Sequence, residues 1–365
     1  MQERVTLQKV AERVGLHFTT VAEALKNSAR VKPSTRAMIQ AVAREMGYVP
    51  DPMLSALSAY RKANKPPIYH ETLAWITSSP TADGWRQSFS KFYEGAAQRA
   101  AELGFRLEEY WIKRPGVTSK HASRHLYSRG IRGLLIAPVS VARGHLSLDW
   151  NQFASVTLGY TLTQPKLNLV STTHYRAVIK AVRHLKALGH RRIGWAGSSA
   201  FDERIGRLWT SGFLSELKMT SGSDLDALFS VRPFEPKSFM KWFKQFRPEA
   251  ILTSGGKGTI VPLITWLREN GYGVPDDVSV AIVNLQEEGE ISGIVEPNEL
   301  VGRTAIDLIT RMLQNGERGI PEYPLLQLIE GKWNEGKTIA RANLKTKHPL
   351  PKGPSLPKSL SRSKI

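Results

Sequence analysis

Apolar residues recur at helical spacing from the start of the chain. Leu7, Val10, Ala11 and Val14 make one stripe, and Val21, Ala24 and Leu25 make a second. Between them lies Gly15, where a sharp turn needs a residue that tolerates positive φ. Ala11 sits four residues before that glycine. Two steeply crossing helices approach closely only where the contact residue is small. The spacing predicts a helix-turn-helix over residues 6–27. A third helix starts within VKPSTR at 31–36, with Ser34 placed as its cap, and ends at Gly47. Leu7, Val10, Val14, Val21, Leu25, Val31, Ile39, Val42 and Met46 are the expected core of this small unit. Pro50 and Pro52 break the third helix. A short hinge helix can start after them, with Leu54 and Leu57 on one face. Residues 61–70 read as a linker.

From residue 71 the pattern changes. Short apolar runs alternate with amphipathic helical stretches. TLAWIT at 72–77, FRLEEYW at 105–111, GLLIAP at 133–138 and SVTLG at 155–159 read as strands, with helices over 89–103 and 119–129. The alternation then repeats. RIGWA at 192–196, the run at 247–253 and VSVAIV at 278–283 are strands. Helices fall at 175–188, 204–217, 239–246 and 261–270. Alternating strands and helices argue a parallel sheet with helices on both faces.

Several motifs carry a family resemblance. Ala11 and Gly15 in the first turn, GYVP at 47–50 and the hinge stretch MLSALSAYR resemble the headpiece of the LacI/GalR (lac-repressor) family. LKALGHRRIGWAG at 185–197, PEAILTS at 248–254, NGYGVPDDVSVAIV at 270–283 and ELVGRTAIDLITRML at 299–313 are similar to its two-lobed body. The resemblance implies an all-α helix-turn-helix headpiece followed by an α/β, two-lobed, type-I periplasmic-binding-protein-like effector domain. The headpiece would take residues 1–48, and the hinge and linker 49–70. The effector and dimerisation domain would take 71–340. Its N-lobe would hold about 71–160 and 289–320, and its C-lobe about 161–288 and 321–340, so the chain would cross near 160, 288 and 320. Residues 341–365, rich in Pro, Ser and Lys, would be a disordered basic tail.

The resemblance also assigns residues. The second helix would enter the major groove, with Phe18, Thr19 and Glu23 reading bases. Thr6, Thr20, Lys26, Lys32, Thr35 and Tyr48 hold positions that touch or steer toward phosphates. Leu57 aligns with the leucine that paired hinge helices wedge into the minor groove. Helices this short are marginal in water, so the hinge is expected to order on DNA. This chain departs from the family at His17 and Ala22, where serine is usual, and at Glu23, where arginine is common. A carboxylate cannot bond the acceptor face of guanine, but it accepts from cytosine N4. Glu23 is therefore expected to favour cytosine.

Ligands of open α/β sheets bind beyond the carboxyl ends of strands. Ser79, Asp83, Trp85, Arg204, Arg207, Trp209 and Asn284 lie there and are the expected effector residues. An aromatic plate beside charged and amide groups suits a sugar or sugar derivative. Sugar-binding relatives usually carry Arg at the position of Trp209 and Asp at that of Asn284.

Composition narrows the alternatives. The formal charge is +19, and it is uneven. Residues 1–65 hold 11 Lys and Arg against 5 Asp and Glu, and residues 341–365 hold 7 against none. Basic ends suit a polyanionic partner. There is no cysteine, which excludes disulfides and thiolate zinc sites. No apolar run approaches the roughly 18 residues of a membrane span, and no signal-peptide pattern opens the chain. No enzyme motif stands up. The SGGKGT run at 254–259 has a glycine after its lysine where a phosphate loop needs Ser or Thr. His121 and His125 have metal-compatible spacing, but no third ligand is apparent. No catalytic residue, metal or cofactor is assigned. The expectation is a cytoplasmic, nucleoid-associated homodimeric regulator, acting as a repressor. It would bind a near-palindromic operator in double-stranded DNA and answer to a small-molecule effector, with no membrane role. The alternatives are a solute-binding receptor of the same two-lobed fold, or an enzyme built on it.

Overall fold

The computed structural model describes residues 5–25, 27–28, 30–48, 71–218, 225–231 and 234–342. Lys26, the hinge with Leu57, the linker and the tail from residue 343 lie outside the described residues.

Three helices form the headpiece: α1 (Leu7–Val14), α2 (Phe18–Leu25) and α3 (Pro33–Glu45). Gly15 takes φ 66° and its N–H closes onto the carbonyls of Ala11 and Glu12, as the turn requires. Val10, Val21, Ala24 and Ile39 are fully buried at its centre. The third helix differs at its start. Lys32 is the capping residue, Pro33 opens the helix and no side chain caps it. Ser34 lies inside the first turn, because proline at N1 already sets the helical φ. Ala43, not the expected Val42, completes the core.

The body holds two six-stranded sheets. The first lobe runs β1 (Glu71–Thr77), α4 (Arg86–Glu102), β2 (Phe105–Trp111), α5 (Ser119–Ser128), β3 (Gly133–Ile136) and β4 (Gly144–His145), then β5 (Ala154–Leu158), β6 (Leu162–Gln164) and β7 (Asn168–Thr172). The second runs α6 (His174–Ala187), β8 (Ile193–Ser198), α7 (Ser199–Arg204), α8 (Leu208–Lys218), β9 (Leu228–Val231) and α9 (Pro236–Phe246), then β10 (Ala250–Thr253), α10 (Lys257–Glu269), β11 (Ser279–Leu285) and β12 (Gly293–Val295). The chain returns to the first lobe for α11 (Asn298–Asn315) and β13 (Leu326–Ile329), and ends in the second with β14 (Lys332–Asn334). The strand orders are β13-β7-β5-β3-β1-β2 and β14-β12-β11-β10-β8-β9, parallel except for β12 with β14. β4 and β6 form a separate small ladder.

Burial follows position in the sheet. Central β5 and β7 are buried at every residue, whereas edge strand β2 buries only Leu107 and Tyr110. Helices on both faces account for the continuous runs. Helices α4 and α11 pack backbone to backbone. A Cβ at Gly95 would run into the Glu299 carbonyl, and one at Gly302 into that of Phe92.

Two expectations need correction. The crossings predicted near 160, 288 and 320 lie between Thr172 and His174, between Val295 and Asn298, and between Ile329 and Lys332. β7 belongs to the first sheet, where its backbone pairs with β5 and β13, and β12 belongs to the second. The helix predicted over 204–217 is broken in two, because Gly206 and Arg207 both take positive φ, 72° and 62°.

Candidate functional site

Two surfaces combine polar groups with an architecture that holds them. The first is the headpiece. Val21 and Ala24 pin α2 against its neighbours, and Phe18 and Thr19 are left exposed. Phe18 is 51% exposed, which is unusual for an aromatic of its size. The His17 ring lies 4.7 Å from it, and His17 Nδ1 is 2.9 Å from the Thr19 hydroxyl. Glu23 is half-buried. The Thr6 hydroxyl caps α1 by accepting from Lys9 N at 3.3 Å. Lys32 is exposed at the start of α3, with Thr35 in the first turn. Thr20 is half-buried on α2, and Tyr48 packs on the headpiece core. Sequence reasoning missed Gln40. Its amide donates to the Ala24 carbonyl at 3.1 Å and to Asn27 Oδ1 at 2.7 Å, tying the end of α2 to α3. A polar residue inside a helix gives no periodic signal of such a bridge.

The second is a cavity of about 360 Å³ between the two lobes. Four expected effector residues line it: Ser79 after β1, Arg204 and Trp209 flanking the break between α7 and α8, and Asn284 near the end of β11. The Asn284 side-chain Oδ1 accepts from Gly255 N at 3.0 Å and so ties the loop after β10 to the end of β11. Arg204 reaches across the cleft. Its guanidinium donates to the Ser140 carbonyl at 2.6 Å and to that of Val139 at 3.0 Å, both in the first lobe. Burial pulls its pKa below the usual arginine range.

Three expected residues do not line the cavity. Trp85 is core, 1% exposed, with its ring 5.3 Å from Trp75 and 5.2 Å from Tyr93. It opens α4 and leans onto the apolar face of β1. Asp83 is exposed and pairs with Arg86 at 3.1 Å. Arg207 sits on the positive-φ turn and swings out to Glu203 at 3.6 Å.

The cavity also holds residues that sequence reasoning did not single out. Thr172, His174 and Glu296 meet where two crossings run side by side. The Thr172 hydroxyl donates to Glu296 Oε1 at 2.8 Å, and His174 Nδ1 lies 3.2 Å from the same oxygen. The His174 ring stands edge-on to Trp209 at 5.4 Å and 5.7 Å from Tyr160. Burial raises the Tyr160 phenol above its ordinary pKa. Thr172 and Glu296 are 124 residues apart, so no local pattern could reveal the cluster.

Elsewhere, the SGGKGT run opens α10, and Lys257 pairs with Glu287 at 2.8 Å. The His121 and His125 rings stack at 6.4 Å on α5. Among the described residues, no cluster of three His, Cys, Asp or Glu is arranged to hold a metal, and no helix is long and apolar enough to cross a membrane.

Comparison with known proteins adds two family matches. Residues 6–51 match the lacI family of bacterial regulatory proteins, and residues 182–332 match the periplasmic binding protein-like domain. The lactose operon repressor of Escherichia coli K12 is 21% identical over 327 residues, covering 85% of each chain. Two solved structures share the fold. A lac repressor dimer bound to operator and the anti-inducer ONPF has a TM-score of 0.51 at 21% identity, covering 93% of this chain and 100% of that one. A complex of the transcriptional regulator CelR with cellobiose has a TM-score of 0.54 at 20% identity, covering 92% and 100%.

Proposed function

Since the chain belongs to the lacI family of bacterial regulatory proteins, we propose that it binds a near-palindromic operator as a homodimer and that a small polar effector in the inter-lobe cavity sets its operator affinity. One headpiece reads one half-site, and a dimer's two-fold axis matches a palindrome. Phe18, Thr19 and Glu23 read base edges. Thr6, Thr20, Lys26, Lys32, Thr35 and Tyr48 hold phosphates, and Leu57 is the minor-groove wedge. Phosphate contacts fix the register, and base contacts choose the sequence.

The observation that carries this reading is the cavity spanned by Arg204. Its walls come from both lobes, so a ligand there touches α7 and α8 on one side and the loops after β1 and β3 on the other. A ligand that binds one lobe arrangement better than the other shifts the balance between them. That balance sets the spacing of the two hinges on DNA. The coupling is reciprocal: operator must change effector affinity by the same factor. Ser79, Arg204, Trp209 and Asn284 are the effector contacts. An aromatic wall beside amides and hydroxyls favours a sugar or its derivative, and the similar regulator CelR is seen in complex with cellobiose. The action is repression.

Selection of operators from a random duplex library, followed by footprinting, tests this. A two-fold symmetric site protected by the full chain is the expected result. No sequence preference, or protection of a single half-site by a monomer, would overturn it.

A further inference from the structure

The cavity has an uneven charge inventory. Its acidic lining residue, Glu296, is engaged by the Thr172 hydroxyl and by His174. Its arginine is not engaged in that way. Among the described residues no carboxylate pairs with Arg204, and its partners are two neutral carbonyls. A guanidinium has five N–H donors, so three remain for a ligand. Partly withdrawn from water, such a charge gains most from an anion brought to it.

Two further lining residues keep a buried polar atom without a protein partner. The Trp209 indole N–H has no acceptor, and the Asn298 Oδ1 has no donor; both residues are 5% exposed. Buried polar groups normally find partners. The residues lining the cavity therefore include an unmatched cation, an unmatched donor and an unmatched acceptor, beside aromatic walls.

We propose that the effector is a hydroxylated monocarboxylate, such as a hexuronate or an aldonate, with its carboxylate on Arg204 and its hydroxyls on Asn298 and the Trp209 indole. The inference rests on the regulatory reading above, in which the cleft takes the effector. One arginine balances one negative charge, which favours a carboxylate over a phosphate dianion. The carboxylate would share Arg204 with the two carbonyls it reaches across the cleft, so the occupant acts on the link between the lobes.

The test uses the full chain and calorimetry with D-glucuronate, D-galacturonate and D-gluconate. The controls are D-glucose, D-galactose, D-glucose 6-phosphate and the neutral isostere D-glucuronamide. An acid is expected to bind about tenfold to a hundredfold tighter than its neutral counterpart, the range for losing hydrogen bonds to a charged group. Arg204→Gln should erase that difference, and Arg204→Lys should keep part of it. The amide comparison needs no variant, so it stands even if Arg204→Gln fails to fold. Equal or tighter binding of the neutral compounds, preference for the phosphate, or no acid binding at all would overturn the proposal. Operator binding by the same preparation separates the two readings. If it persists, only the ligand class has failed. If it is absent, the regulatory reading has failed.

Discussion

The Asp202 carboxylate accepts the backbone N–H of Trp209 at 3.1 Å, across the positive-φ turn that separates α7 from α8. It also accepts the Thr210 hydroxyl. This side chain thus caps the first turn of α8 and holds the cavity tryptophan in place. Asp202→Ala should cost about 1–2 kcal/mol, the range for losing a helix cap, and weaken effector binding with it. Burial raises the Asp202 pKa. A group raised on folding contributes stability that is complete below its unfolded pKa and is lost as pH rises through the folded value. Asp202→Asn removes that charge and keeps one acceptor. It should be milder than alanine and flatten the stability profile from the ordinary carboxylate range upward. Urea titrations at several pH values check both.

His190 titrates with the opposite sense. Its Nε2 donates to the Ala340 carbonyl at 2.9 Å, which docks the end of the described chain beside α6. Burial lowers its pKa from the ordinary 6.5. The neutral ring is the folded form, so its contribution is complete above that value and falls as pH drops through the folded one. Melting curves from pH 7.5 down to about 5 should show that loss, and His190→Gln should reduce it. An unchanged slope would mean that the ring is not the titrating group.

On the headpiece, base reading and phosphate holding separate experimentally. Glu23→Ala should relax preference at one position of each half-site, where a matched contact discriminates by about 1–3 kcal/mol. Lys32→Ala should weaken all duplexes alike and lower the salt slope by about one unit per phosphate contact. Library selection and salt titration give the two answers. An unchanged base preference in Glu23→Ala would place that carboxylate in solvent.

Close packing of α4 on α11 gives a structural prediction. At Gly95 and Gly302 an added methyl meets backbone carbonyls, which cannot move aside as a side chain can. Gly302→Ala should cost about 1–3 kcal/mol by overpacking, read as a lower melting temperature. Gly258→Ala, where a Cβ meets open space, is the control.

Much of the architecture was readable because it rests on local chemistry. Gly15 announces its turn, and buried runs such as that of β1 announce sheets covered on both faces. The lobe boundaries were not readable. β7 has no glycine or proline to punctuate it, and β13 exposes Leu326 and Leu328, so neither reveals which sheet it joins. The site was legible by half. Strand ends pointed to Ser79, Arg204, Trp209 and Asn284. They also pointed to Trp85, since a tryptophan in a core and one in a cleft look alike in one dimension. Glu296 and Asn298 become neighbours of the cavity only through the second crossing.

The first lobe is assembled from chain segments far apart in order of synthesis. Its early strands bury Leu73, Val156 and Val170 under α11, and the sheet is finished by β13. On the ribosome, α4 is complete at residue 102, but α11 begins only at residue 298. At about 5–20 residues per second, roughly 10–40 s separate the two. For that interval the nascent lobe carries an uncovered apolar face while the second lobe is being made. Until α11 arrives, that face is open to contact with other chains, a hazard that the finished fold no longer shows.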